Sequence, residues 1–149
     1  MSDLFHKSVP LDFIRSVFDT MQAADWHTFQ VLTKRSDRLA EVASELPWPD
    51  NVWMGVSVER QDYAWRVDCL RQVRAQVRFL SCEPLLGLLD LDLDGIQWVI
   101  AGGESGPRAR PMDLTWARSI RDQCHAADVP YFLKQLGGAV NKRGKEQRY

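Results

Sequence analysis

Hydrophobic positions along the chain switch repeatedly between a helical period of about 3.6 residues and a strand period of about 2, and the switches predict the elements in order. Ile14, Val17, Phe18 and Met21 recur at helical spacing after Pro10, which a first helical turn tolerates, and predict an amphipathic helix over residues 10–23. His27 to Thr33, rich in β-branched and aromatic residues, predicts a strand with Lys34 and Arg35 at its exit. Ser36 is placed to cap a second helix, whose stripe of Leu39, Val42, Ala43 and Leu46 ends at Pro47 and Pro49. Val52 to Glu59 alternates as a strand, with Met54, Val56 and Val58 on one face and Gly55, Ser57 and Glu59 on the other. A helix over residues 60–75 follows, with Tyr63, Val67 and Leu70 on its buried side.

Val77 to Pro84 repeats the strand design. Phe79, Ser81 and Glu83 share a face and Leu80 and Cys82 the other, so both strands end in Ser-x-Glu. The Leu/Asp-rich stretch from Leu85 to Gly95 carries no full helical pattern and reads as a turn of helix or an irregular crossover. Gln97 to Ala101, an apolar run of strand length, then opens into the polar turn Gly102-Gly103-Glu104-Ser105-Gly106-Pro107, which Pro107 and Pro111 hold away from helical geometry. Asp113 caps a helix carrying Leu114, Ala117, Ile120 and Cys124, and Val129 to Leu133 is a last strand ending in Lys134-Gln135.

Strands alternating with helices make βαβ units, hence a parallel sheet with right-handed crossovers. Five strands fall short of the eight of a closed barrel. Small and polar residues on one strand face suit a barrel lumen better than a sheet covered on both sides, and the Gly-x-Gly-x-x-Gly fingerprint of dinucleotide-binding sheets is absent. The expected fold is therefore α/β: a partial TIM-type βα barrel of about five mainly parallel strands. It is expected as one domain over residues 1–138, followed by a polar, basic tail over 139–149.

Composition narrows the picture without adding a reaction. With 149 residues, 45% of them hydrophobic, the chain can bury one core. A formal net charge of -1 gives no global basic footprint and disfavours a nucleic-acid partner, so Lys142, Arg143, Lys145 and Arg148 read as a solvated tail. The apolar runs are too short to cross a bilayer and the first residues lack the order of a signal peptide, so no membrane association and a cytoplasmic setting are expected. Cys69, Cys82 and Cys124 have no Cys-x-x-Cys spacing and read as buried free thiols. His6, His27 and His125 have no partner at metal spacing, so no metal site is expected. The scattered tryptophans suit packing rather than a base-stacking platform.

A parallel sheet gathers the carboxyl ends of its strands on one rim, where α/β proteins keep their sites. The candidate ligand-binding residues there are Lys34, Ser57 and Glu59 from the first two strands and Ser81 and Glu83 from the third. The last two strands add Gly102, Gly103, Glu104 and Ser105, then Lys134 and Gln135. Three carboxylates with two lysines can hold a zwitterionic ligand or divide acid and base roles, and equally can be ion pairs that close the top of the sheet. The glycine pair either bares backbone N–H groups to an anion or serves a tight turn. No nucleophile elbow or phosphate-binding loop is present, so catalytic residues stay unassigned.

Six blocks carry a resemblance: Ser2-Asp3-Leu4-Phe5-His6, Phe29 to Arg35, Trp53 to Glu59, Phe79 to Gly87, Gly102 to Gly106, and Phe132-Leu133-Lys134-Gln135. Together and in this order they resemble the later part of a phage-associated protein family without assigned function, whose members are similar to radical S-adenosylmethionine enzymes. The resemblance implies an upstream segment in full-length relatives, bearing a Cys triplet for an iron-sulfur cluster on the first part of a TIM-type barrel. No residue of this chain matches that triplet, so no cluster ligand carries over and no cofactor is expected in this chain, with S-adenosylmethionine the ligand the resemblance leaves in view.

Two classes of function follow. One is a non-catalytic binding or regulatory protein on a truncated barrel, its open strand edges covered by a second copy or a protein partner. The other is an enzyme, or half of one, that binds S-adenosylmethionine or a nucleotide-like ligand at the rim. The missing cluster ligands favour the first.

Overall fold

The computed structural model describes residues 3–138, and its elements follow the predicted order. They are α1 (Leu11–Ala23), β1 (Phe29–Thr33), α2 (Ser36–Val42), β2 (Val52–Ser57), α3 (Arg66–Arg71), β3 (Arg78–Cys82), β4 (Trp98–Gly102), α4 (Leu114–Ala126) and β5 (Tyr131–Gln135). The expected tail over 139–149 lies outside the described residues. All strands pair in parallel, in the order β1-β2-β3-β4-β5. Each crossover steps to the next position in the same direction, and right-handed connections of that kind lie on one face of the sheet. This is the winding of a βα barrel, whereas a doubly wound sheet reverses its order midway. Among the described residues the winding comprises five strands, with β1 and β5 as its edges.

The connected face holds the core. Ile14 and Phe18 of α1, Leu39 of α2, Leu70 of α3 and Ile120 of α4 are wholly buried with Val52, Met54, Val56, Leu80 and Val99 of the sheet. Apolar area removed from water at about 25 cal/mol per Å2 drives this layer together. The Leu/Asp-rich crossover forms no helix: Leu85, Leu89, Leu91 and Leu93 are buried and stand where a helix would. Its backbone is held by side chains. The Gln123 amide accepts from Leu91 N–H at 2.9 Å and donates to Leu89 O at 2.7 Å, and Arg71 donates to the carbonyls of Asp92 and Asp94.

The opposite face carries no connections and is layered. Toward the amino ends, Trp53, Phe79 and Trp98 cluster, with the Trp98 ring centroid 6.0 Å from Trp53 and 5.8 Å from Phe79. Gly55, beside Phe79 in register, leaves the space that its ring fills. Toward the carboxyl ends the face turns polar, through Ser57, Ser81 and Gly102. At the edges, Leu32 and Phe132 stay 44% and 49% exposed.

Several local expectations are corrected. The first strand begins at Phe29 rather than His27, because the ladder starts where Phe29 N–H meets Asn51 O at 2.8 Å. Ser36 is the first residue of α2 rather than its cap, and its hydroxyl has no partner among the described residues. Asp3 ties that turn instead, accepting from the Thr33 hydroxyl at 2.7 Å and from Lys34 N–H at 3.1 Å. The helix expected over 60–75 is broken into a short 3-10 turn at Gln61–Tyr63 and the six-residue α3. Val67 and Leu70 are buried as expected, but Tyr63 is 38% exposed and lies against the Arg66 guanidinium. The last strand runs from Tyr131 to Gln135, two residues later than expected, since Asp128 turns with positive φ and Val129 N–H still bonds back to Cys124 O. Asp113 caps α4 as expected, accepting from Thr115 N–H at 2.8 Å.

Candidate functional site

Strand parity puts Ser57 and Glu59, then Ser81 and Glu83, on the unconnected face at the carboxyl ends of adjacent strands. Val58 N–H bonds to Ser81 O at 3.0 Å and Leu86 N–H to Glu59 O at 3.0 Å, so both strand exits are fixed beyond their last ladder residues. Two acid-centred units result.

In the first, Glu59 is 6% exposed and is gripped on both oxygens. Lys34 from the end of β1 pairs with Oε1, and Arg66 Nη1 donates to Oε2 at 3.0 Å while also donating to Ser57 O at 2.8 Å. The Arg66 guanidinium lies over the Tyr63 ring, its central carbon 4.2 Å from the ring centroid, in a cation–π contact. The break in the expected 60–75 helix is what returns Arg66 beneath the end of β2.

In the second, Glu83 accepts from the Ser81 hydroxyl at 3.1 Å through Oε2 and pairs with Lys134 of β5 at 3.3 Å through Oε1. Gly102 makes room for this carboxylate, since a Cβ there would lie 2.9 Å from Glu83 Oε1. The lysines of the two edge strands thus reach inward over the rim, one to each acid.

The glycine-rich turn takes a different role from anion binding. Gly103 N–H donates to Gln135 O at 2.9 Å, Gln135 Nε2 donates to Gly103 O at 2.8 Å, and Gly138 N–H donates to Glu104 O at 2.7 Å. The glycines let the exits of β4 and β5 touch backbone to backbone. Glu104 turns away from the rim lysines to Arg110, which donates to it from Nε at 2.8 Å, from Nη2 at 3.0 Å and from its backbone N–H at 2.9 Å. Ser105 is exposed and joins neither unit.

The structure therefore brings Lys34, Ser57, Glu59, Ser81, Glu83, Gly102 and Lys134 together, joins Gly103 and Gln135 as a brace, and sets Glu104 apart. Sequence reading missed Arg66, Tyr63 and Arg110. Only the Pro-flanked pair Arg108 and Arg110 close after Glu104 offered a local signal.

The Arg110 side chain, then its backbone N–H, holds the Glu104 carboxyl down from 4.5 to about 2. A depressed carboxyl stabilises the fold above its unfolded value of about 4.3, and that contribution is lost as pH falls through about 2. Carbon-detected NMR is expected to follow Glu104 to a midpoint near 2, returning toward about 4.3 in Arg110→Gln. A native midpoint at the ordinary value would contradict this pairing.

Cys82 and Cys124 lie in the buried layer behind the sheet. Burial pushes the Cys124 thiol up to about 11 and Cys82 higher still, so both stay protonated at neutral pH. Among the described residues no group of three or more His, Cys, Asp or Glu is placed to hold a metal ion. No helix among them is long and apolar enough to cross a membrane.

No curated protein and no solved structure matches the chain. One family model does, that of "Protein of unknown function (DUF5131)", over residues 1–148. With nearly its whole length inside that match, the chain belongs to the DUF5131 family, whose function is unknown.

Proposed function

We propose that the chain is a small-molecule binding module of phage type, which holds a zwitterionic ligand on the rim formed by the carboxyl ends of its strands. The observation that carries this reading is the pairing of two shielded carboxylates on adjacent strands, Glu59 and Glu83, each with a lysine from an edge strand. A ligand bearing both an ammonium and a carboxylate can exchange with those pairs without leaving any charge uncompensated. The carboxyl-end position is where parallel sheets of this winding keep their ligands.

S-adenosylmethionine is the first ligand to test, given the resemblance to radical S-adenosylmethionine barrels. Its sulfonium and ammonium suit Glu59 and Glu83, and its carboxylate suits Lys34 or Lys134. Binding rather than reductive cleavage is the reading, because Cys82 sits behind the sheet, away from the rim face, and Cys69 and Cys124 belong to α3 and α4.

Calorimetric titration with S-adenosylmethionine is expected to show saturable binding. Glu83→Gln, which keeps shape and removes charge, should weaken it by about 10- to 100-fold, the worth of one hydrogen bond to a charged group. Absence of heat, or equal affinity in the variant, would sink the proposal.

A further inference from the structure

The geometry points to a ligand site at the β1 end of the rim: a cleft of about 660 Å3, sharing Lys34 and Ser57 with the rim, that takes the phosphate of a small phosphorylated molecule. Its volume falls in the range of small-molecule pockets, roughly 300–1,000 Å3, and exceeds what an inorganic ion needs.

Three cations line it, Lys34, Arg35 and Arg66; Asp3 is the carboxylate of the lining, and Glu59 beside it pairs with Lys34 and Arg66. Asp3 is already spent: Oδ1 accepts from Phe5 N–H and the Thr33 hydroxyl, and Oδ2 from Lys34 N–H. Arg35 forms no ion pair among the described residues.

Arg66 is 9% exposed and is held by Ser57 O and Glu59 through Nη1 alone. Its Nε is buried without an acceptor among the described residues, and its Nη2 makes no hydrogen bond there either. Nη2 is the guanidinium donor left for an oxyanion, and a hydrogen bond from it to a phosphate is charge-assisted. An arginine oriented by a carbonyl, a carboxylate and an aromatic ring, with Nη2 left unbonded, is prepared for an oxyanion. The unpaired Arg35 at the same cleft selects a doubly charged one, hence phosphate over carboxylate.

The Ser57 hydroxyl, which also makes no hydrogen bond among the described residues, supplies a neutral donor. Leu32, 44% exposed, gives the same cleft an apolar wall for an organic body.

Calorimetry of the full chain with ADP, adenosine and pyrophosphate separates these contributions. ADP is expected to bind at least about tenfold more tightly than adenosine, through its charged hydrogen bonds, and more tightly than pyrophosphate, through the apolar wall. Arg35→Gln, at an exposed residue without an ion pair, should leave the thermal midpoint unchanged and weaken ADP by about tenfold or more. Arg66→Lys keeps the charge beside Glu59 but removes the planar guanidinium and its Nη2 donor, and should weaken ADP comparably. No heat with ADP, equal affinity for adenosine, or indifference to Arg35→Gln overturns the phosphate site, and pyrophosphate binding as tightly as ADP overturns the organic body. Glu83 lies outside this cleft, so loss of S-adenosylmethionine binding in Glu83→Gln with ADP binding retained, or loss of ADP binding in Arg35→Gln with S-adenosylmethionine binding retained, tells the failure of one reading from that of the other.

Discussion

Glu59→Ala is expected to destabilise the fold by about 3–5 kcal/mol, because it leaves the Arg66 guanidinium buried with no counter-charge. The Glu59 and Arg66 side chains are 8% and 11% exposed, so water replaces little of the lost contact. Lys34, at 51%, is the partner that solvent can re-solvate, and its loss should matter far less. In urea, with a slope of about 1–3 kcal/mol/M, the Glu59→Ala midpoint should fall by more than about 1 M. Glu59→Met combined with Arg66→Met should recover much of the loss, since a buried ion pair gains little over an apolar pair of similar volume. A change below about 1 kcal/mol in the single variant would place this pair among screened surface pairs and contradict its role as a structural anchor of the rim.

Gly103→Ala is the second large effect. A Cβ there would lie 2.4 Å from Leu136 O, 2.8 Å from Leu136 C and 2.9 Å from Gly137 Cα, all backbone atoms that no rotamer change can move. The exits of β4 and β5 would have to part, straining the bonds from Gly103 N–H to Gln135 O and from Gly138 N–H to Glu104 O. Overpacking and these hydrogen bonds together amount to about 2–3 kcal/mol. For a chain of this size that lowers the thermal midpoint by about 4–12 °C. Gly87→Ala, where a Cβ meets nothing within 4 Å, is the control and should change little. Equal midpoints for the two variants would contradict the brace.

The two variants mark where the sequence is readable. Strand parity is local, so Ser57/Glu59 and Ser81/Glu83 could be put on one face, and the strand positions of Lys34 and Lys134 put both lysines on the rim. The winding followed from alternating elements and short connections. What escaped depends on contacts between distant residues. Ser36 follows a strand and precedes a helix, as a cap would, yet Asp3, thirty residues away from Thr33, ties that turn. Residues 60–75 carry a helical stripe, but the attraction of Arg66 to Glu59 and Ser57 O accompanies a break that no periodicity encodes. Gly102-Gly103 looks like an open anion turn until Gln135 and Leu136 come against it.

The resemblance behaves similarly. Its blocks span the region that the DUF5131 family model covers, and membership in that family is what the match establishes. The phage setting is proposed from the resemblance alone, and the S-adenosylmethionine ligand from the resemblance together with the rim geometry.

Amide chemical-shift mapping of the 15N-labelled chain with S-adenosylmethionine tests the rim most directly. Perturbations are predicted to concentrate at Lys34, Ser57, Glu59, Ser81, Glu83, Gly102 and Lys134, leaving α1 and α4 unmoved. No perturbation at saturating ligand, or a cluster on the helices behind the sheet, would contradict a ligand site on the carboxyl-end rim.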